Sequence, residues 1–310
     1  MIGVAVLGST GSVGCGTLEV LALHPQRFRV TALAARGNAE RLFEQVQRFE
    51  PEWAALESHE AAHALSARLR EAGSRTRVLA GADAIEQLAR EDAVDYVMAA
   101  ISGAAGLRST LAAAAAGKRL LLANKESAVM AGSLLLAAVQ ASGAVLIPID
   151  SEHNAIFQCL PPSFVAGTAP RGVRRLLLTA SGGPFLHWNA EAIAAATPAQ
   201  AIKHPRWSMG RKISVDSATL MNKGLELIEA CFLFGVPPQQ VEIVVHPQSI
   251  IHSMVEYRDG SVLAQLGSPD MRVPIACARA WPERMAAGVE FLQLMHAGRL
   301  DFMAPDVERV

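Results

Sequence analysis

Two acidic segments carry the chemistry this chain could perform. In Ile147-Pro148-Ile149-Asp150-Ser151-Glu152-His153-Asn154 an apolar run passes straight into carboxylates. Residues i and i+2 of an extended chain face the same way, so Asp150 and Glu152 are expected to converge on one point. Carboxylate oxygens with no cysteine beside them suit Mg²⁺ or Mn²⁺ better than a structural zinc. Two acids alone would serve equally as a helix cap or a solvated turn, so a third ligand is needed. Met221-Asn222-Lys223-Gly224-Leu225-Glu226-Leu227-Ile228-Glu229 offers two. Glu226 and Glu229 lie three apart on a predicted helix and can share a face, and spacing does not choose between them.

Anion-binding groups accompany the acids. Asn222 and Lys223 stand near the start of that helix, where donors meet an anion. Ser181-Gly182-Gly183 and Asp216-Ser217-Ala218-Thr219 hold hydroxyls and backbone N–H groups able to cradle a phosphate, although each is also a common turn or cap. His204-Pro205-Arg206-Trp207-Ser208-Met209-Gly210 has the make-up of a loop that closes over a substrate and excludes water; the structural alternative is a buried tryptophan beside a capped histidine. Asn124-Lys125-Glu126-Ser127 follows a predicted parallel strand and belongs at the carboxyl edge of a sheet, where ligands gather. His246 and His252 fall on strand patterns and read as structural.

A nucleotide site is expected at the other end of the chain. Gly8-Ser9-Thr10-Gly11-Ser12-Val13-Gly14 follows the first strand and opens a helix over residues 16–23. Glycines there permit a tight turn and close approach of a pyrophosphate, which the helix N-terminus stabilises. G-x-x-G-x-x-G departs from G-x-G-x-x-G, so the order strand, glycine loop, helix carries the reading. The second strand ends in Ala34-Ala35-Arg36-Gly37-Asn38, where NAD enzymes commonly place an acid. Arg36 offers instead a guanidinium fork suited to a 2′-phosphate, which favours NADP over NAD; the plain alternative is a solvated loop charge.

These groups need a scaffold, and 310 residues exceed one typical domain of about 100–200 residues. Up to residue 149, apolar strands at 4–7, 28–33, 53–56, 77–79, 96–100, 119–122 and 145–149 alternate with helical patterns such as 39–49, 61–72 and 132–141. That alternation predicts α/β architecture, a doubly wound Rossmann-type domain with a mostly parallel sheet. Beyond it, strands at 175–179, 241–245, 250–257 and 261–265 follow closely, with a hairpin signal at Asp259-Gly260. This half reads as an α+β catalytic domain with a mostly antiparallel sheet. The expected division is 1–149, 150–284, and over 285–310 a linker with no complete element that could close a domain of its own.

Lysine plus arginine, 28, nearly cancels aspartate plus glutamate, 29, so neither nucleic acid nor an acidic membrane is an expected partner. The alanine-rich run 111–117 is far shorter than the roughly 20 apolar residues that span a bilayer. The N-terminus enters a strand with no secretory pattern. Cys15, Cys159, Cys231 and Cys277 form no C-x-x-C pair, and reduced thiols in the cytoplasm are expected.

The chain is identified as resembling the 1-deoxy-D-xylulose 5-phosphate reductoisomerase family through GSTGSVGCGTLEV, LLANKES, DSEHNAIFQ, SGGPF, HPRWSMGRKISVDSATLMNKGLE, HPQSIIHSMV and LGSPDMRVPIA. The resemblance covers essentially the whole chain. It implies rearrangement and NADPH-dependent reduction of 1-deoxy-D-xylulose 5-phosphate to 2-C-methyl-D-erythritol 4-phosphate, for isoprenoid precursors. It implies Asp150, Glu152 and Glu226 as metal ligands, choosing Glu226 over Glu229. Ser181, Ser217, Asn222 and Lys223 correspond to contacts with the phosphate and hydroxyls of a small sugar phosphate. Lys125, Ser151 and His204 match residues around the substrate backbone, and Trp207 belongs to a closing flap. Lys125, Glu152 and His204 are placed to assist proton movement. Thr10, Gly11, Ser12, Val13, Arg36, Gly37, Asn38, Asn124, Glu126 and Gly210 fall where the family meets NADPH.

A homodimer is implied too, with the strand at 250–255 able to pair across a two-fold axis. Two departures stand out. The family's Gly-Lys-Asn is replaced by Arg36-Gly37-Asn38, and a C-terminal helical domain is expected after the point where this chain stops, with 285–310 as the linker toward it. A non-catalytic nucleotide-binding remnant is therefore one competing reading. Another is an aldehyde dehydrogenase of the aspartate-semialdehyde type, which would need Cys159 as nucleophile.

Overall fold

The computed structural model describes residues 1–203, 205 and 210–306. The chain divides into two compact units, one formed by Met1–Ile149 and Ile275–Gly288, the other by Asp150–Pro274 with the chain from Val289 onward.

In the first unit seven strands, β1 (Ile2–Leu7), β2 (Phe28–Ala35), β3 (Trp53–Leu56), β4 (Arg77–Ala80), β5 (Tyr96–Ala99), β6 (Arg119–Leu122) and β7 (Val145–Pro148), alternate with α1 (Ser12–Ala22), α2 (Ala39–Phe49), α3 (His59–Glu71), α4 (Ala82–Leu88), α5 (Leu107–Ala115) and α6 (Lys125–Ser142). The sheet is parallel throughout, in the order β4-β3-β2-β1-β5-β6-β7. Helices cover both faces of such a sheet, which is why its strands are near-continuous apolar runs. Val4, Ala5, Val6 and Leu7 of β1 are fully buried. Strand order reverses between β1 and β5, and at that switch point the carboxyl ends part to leave a crevice. Asparagine caps start α2 and α6: Asn38 Oδ1 accepts from Arg41 N at 3.0 Å and Asn124 Oδ1 from Ser127 N at 2.8 Å. Capping by Asn124 starts α6 at Lys125, seven residues before the periodic pattern predicts.

In the second unit, α7 (Ser151–Cys159) is followed by β8 (Val173–Ala180), short helices α8 (Ala190–Ala194) and α9 (Pro198–Ala201), α10 (Arg211–Ala218), α11 (Met221–Phe234), β9 (Val241–Val245), β10 (Ile251–Tyr257) and β11 (Val262–Leu266). Their sheet runs β11-β10-β8-β9, antiparallel except between β8 and β9. Asp259-Gly260 makes the expected turn between β10 and β11: Tyr257 N donates to Ser261 O at 2.8 Å, and Gly260 has φ +90°. β10 lies inside the sheet, and Met254 and Val255 are paired on both sides, which tells against the expectation that residues 250–255 pair across a two-fold axis.

Two stretches depart from the expected division. Helix α12 (Arg272–Ala280) carries the chain from Pro274 into Ile275–Gly288, which clusters with the first unit. His24 Nε2 bonds Ala286 O at 2.7 Å and Arg27 pairs with Glu283 at 3.1 Å. The stretch expected as a linker holds the four-residue α13 (Leu294–Ala297), and it is tied to the second unit by Met303, which exchanges backbone hydrogen bonds of 2.9 and 3.0 Å with Val245. Backbone pairing at the strand end, not hydrophobic periodicity, organises it.

One side chain in the first unit works against stability. Arg279 is fully buried, its guanidinium 5.5 Å from the centre of the Phe28 ring, and none of its three nitrogens has a hydrogen-bond partner among the described residues. Burial pulls its pKa down to about 9. An uncompensated buried charge is costly, so Arg279→Met is expected to stabilise the protein by about 1–4 kcal/mol. A denaturant midpoint for the variant at or below that of the parent would refute this.

Candidate active site

The metal-binding possibility rests on α7 and α11. Asp150 is the N-cap residue of α7, and Ser151 and Glu152 form its first turn. This corrects the extended-chain expectation: the two carboxylates converge because a helix starts between them. Carboxylates are favoured at that end by the helix dipole. Helix α11 is unusual in the face it buries, which carries Asn222, Lys223, Glu226 and Glu229 ahead of Ala230, Leu233 and Phe234. Glu226 and Glu229 are each 1% exposed. Buried carboxylates require a cation, a proton or donors to offset desolvation.

Carboxylate oxygens of Asp150, Glu152 and Glu226 all lie within 4.8 Å of one another. Lys223 sends its ammonium into this group, to Glu152 Oε1 at 2.8 Å, to Glu226 Oε2, and to Thr179 O at 2.5 Å. Asn222 Nδ2 donates to Glu226 Oε1, and Ser151 Oγ to Glu152 Oε2. Burial disfavours the ammonium, but Glu152 and Glu226 outweigh it and raise the Lys223 pKa above the usual lysine value. The ammonium thus occupies the position of a stand-in cation, and an all-oxygen donor set fits Mg²⁺ or Mn²⁺.

Sequence reasoning assigned no role to His153, which is 0% exposed. Its Nε2 bonds Glu226 O at 2.8 Å, and its Nδ1 lies 3.4 Å from Asp150 Oδ1 and 3.7 Å from Glu229 Oε2. Burial lowers its basicity, yet Glu229 and Asp150 raise the pKa to about 9. Read as helices, Asp150 and His153 on one side and Glu226 and Glu229 on the other are both i, i+3 pairs, a signal that an extended reading of 150–154 hides.

The phosphate candidates fall into the same unit. Ser181 follows β8 directly, and its Oγ accepts from Gly183 N at 3.2 Å. Ser217 lies in the last turn of α10, where Thr219 Oγ1 accepts from Met221 N at 3.1 Å and so joins α10 to α11. Gly210 is the N-cap residue of α10. His204 and Trp207 lie outside the described residues.

The nucleotide candidates lie in the first unit. Gly8 has φ +88°, and a Cβ there would stand 2.4 Å from Ala100 O; a Cβ on Gly14 would stand 2.3 Å from Gly8 O. Only glycine fits either place. Thr10, Gly11, Ser12 and Val13 span the loop between them, with Gly11 as N-cap of α1. Arg36 has a side chain 92% exposed, 3.8 Å from Glu57, and with Gly37, Glu57 and Ser58 it lines a cavity of about 380 Å³. Asn38 caps α2. Asn124 is turned into the fold, donating to Ile101 O and, at 2.9 Å, to Gly103 O, so it shapes the loop after β5. Lys125 is buried and Glu126 half-buried in the first turn of α6.

Cys159 closes α7 at its C-terminal end, its carbonyl accepting from Tyr257 Oη at 2.7 Å. A helix C-terminus disfavours a thiolate, which tells against the nucleophile required by the aldehyde dehydrogenase reading. All four cysteines are free of disulfides. No helix among the described residues is long and apolar enough to cross a membrane.

Comparison with known proteins identifies the family. A family model described as 1-deoxy-D-xylulose 5-phosphate reductoisomerase matches residues 4–132, and models of C-terminal domains of that enzyme match 146–234 and 266–310. The chain is 59% identical over 310 residues to the 1-deoxy-D-xylulose 5-phosphate reductoisomerase of Methylococcus capsulatus, covering 100% of this chain and 79% of the relative. It is 60% identical over 306 residues to that of Aromatoleum aromaticum, covering 99% and 76%. A crystal structure of DOX-P reductoisomerase with NADPH, fosmidomycin and magnesium superposes with TM-score 0.96 at 48% identity, over 100% of this chain and 77% of that one. The Zymomonas mobilis enzyme with NADPH gives TM-score 0.89 at 47% identity, over 99% and 77%.

Proposed function

The chain belongs to the 1-deoxy-D-xylulose 5-phosphate reductoisomerase family, and on that premise we propose how its residues share the work. It is an oxidoreductase that converts 1-deoxy-D-xylulose 5-phosphate to 2-C-methyl-D-erythritol 4-phosphate with NADPH and a divalent metal. The observation that carries the residue assignment is the convergence of three carboxylates from α7 and α11 around the Lys223 ammonium.

In this reading Asp150, Glu152 and Glu226 hold Mg²⁺ or Mn²⁺. The ion, when bound, supplies electrophilic stabilisation of charge on the substrate's ketone and hydroxyl oxygens. Lys223, released from Glu152 and Glu226 as the ion enters, joins Ser181, Ser217 and Asn222 in holding the substrate phosphate. Ser151, Lys125 and His204 orient the carbon backbone, with Lys125, Glu152 and His204 moving protons, and Trp207 belongs to a segment that excludes water. The first unit holds NADPH, which when bound supplies the hydride. Thr10, Gly11, Ser12 and Val13 hold its pyrophosphate at the α1 N-terminus. Arg36, Gly37 and Asn38 meet its 2′-phosphate end, while Asn124, Glu126 and Gly210 complete the cofactor contacts. The assembly is a cytoplasmic homodimer in which β11, at the sheet edge with Val262 and Leu263 about half exposed, offers the self-pairing surface that β10 does not.

NADPH consumption with 1-deoxy-D-xylulose 5-phosphate is expected only with Mg²⁺ or Mn²⁺ present. Cofactor binding without turnover in the metal-loaded, folded protein would overturn the reading. Arg36→Ala is expected to raise KM for NADPH by about 10–100-fold, the worth of a lost charged hydrogen bond, while leaving that for NADH nearly unchanged. Equal changes for the two cofactors would remove Arg36 from the 2′-phosphate contact.

A further inference from the structure

We infer that Asp150, His153 and Glu229 form a second, nitrogen-bearing cation site, which shares Asp150 with the oxygen triad and takes a borderline transition ion such as Zn²⁺ in preference to Mg²⁺. The inference rests on the proposed function only in treating Asp150 as a ligand common to both sites.

Ligand atoms of these three residues lie within 4.8 Å of one another. His153 supplies the independent observation. A backbone carbonyl can only accept, so the 2.8 Å contact with Glu226 O makes Nε2 the donor and leaves Nδ1 as the atom aimed between Asp150 and Glu229. Its distances to those carboxylates, 3.4 and 3.7 Å, exceed a good hydrogen bond, and no other described group reaches it. Anchoring one ring nitrogen on a backbone carbonyl is how proteins orient an imidazole that ligates through the other. Phe234 stacks on the ring, with 6.3 Å between centroids and 8° between planes, and fixes its tilt.

The Nδ1 lone pair and the two carboxylates are directed at one buried point and form a ready donor set for a cation, which a metal ion entering the triad would take up. Imidazole nitrogen and carboxylate oxygen are both zinc donors, and three protein ligands leave the fourth tetrahedral position open. Mg²⁺ instead demands oxygen ligands in near-octahedral array. Spacing on α11 serves both sites: Glu226 goes to one and Glu229, three residues on, to the other. Occupation of the second site draws Asp150 from the first, so Zn²⁺ acts as a competitor of the activating ion.

The metal-free chain labelled with ¹⁵N-histidine should show the Nδ1 resonance of one buried histidine shifting with stoichiometric Zn²⁺ and not with Mg²⁺. Calorimetry should show Zn²⁺ affinity falling ~100-fold in both His153→Gln and Glu229→Gln, with a Mg²⁺ loss at least roughly tenfold smaller. Glu152→Gln should do the reverse. An unmoved Nδ1 resonance, Zn²⁺ binding unchanged in the variants, or equal losses of both ions would overturn the second site, the last result leaving His153 only a brace. The NMR arm uses the unaltered protein and stands even where a variant fails to fold. Mg²⁺-dependent turnover of the same preparation reports separately on the proposed function.

Discussion

Glu226→Gln is expected to lower kcat/KM by roughly 10³-fold, the scale on which a focused electrostatic contact in a water-excluded site acts. The substitution keeps the volume, removes one charge and turns one of the two accepting oxygens into an NH₂ donor. Glu226 is 1% exposed and accepts from Asn222 Nδ2 and Lys223 Nζ. With glutamine there, Lys223 keeps Glu152 and Thr179 O, so the fold is retained while the metal loses a charged ligand. Raising Mg²⁺ should restore part of the rate, because the defect is in affinity. A variant as active as the parent at limiting Mg²⁺ would exclude Glu226 from the ligand set.

The second large effect concerns stability without metal. Lys223→Met leaves Glu152 and Glu226 facing each other without their ammonium. Removing one partner of a buried ion pair costs about 3–5 kcal/mol, which corresponds to a fall in melting temperature on the order of 10 °C for a unit of this size. Because Mg²⁺ supplies the missing charge, its addition should raise the melting temperature more in the variant than in the parent, by mass action on the native state. Turnover should stay low even when stability returns, since the proposed phosphate contact is gone. A metal-free variant that melts within a degree of the parent would show that the ammonium contributes nothing there.

The parallel sheet of the first unit was legible because each strand is a short apolar run and the connecting helices follow in regular alternation. Legibility failed where helix boundaries are set by caps. The run Ile147 to Asn154 reads as strand continuing into polar residues, yet Asp150 starts a helix, and that change of period brings His153 into line with Asp150. Glu229 was set aside in favour of Glu226 because a family motif named only one, whereas both are buried on the same helix face. Pairing partners of β10, and the return of Ile275–Gly288 to the first unit, depend on contacts between residues far apart in sequence, which no local pattern encodes. Arg279 is legible only in three dimensions, since in sequence it is one more arginine on a short helix.

The ammonium of Lys223 among the carboxylates has a consequence for the order of events in the cell. A site built only of acids would make folding wait for its metal, and a metal-poor cell would degrade the chain. With the proposed ligand set the chain carries its own placeholder, and newly made protein is expected to complete its core first and be loaded afterwards. Metal supply is then expected to govern how much of the protein works, while the amount present stays constant. Chelation should give a silent reserve that recovers at once on addition of Mg²⁺, without new synthesis.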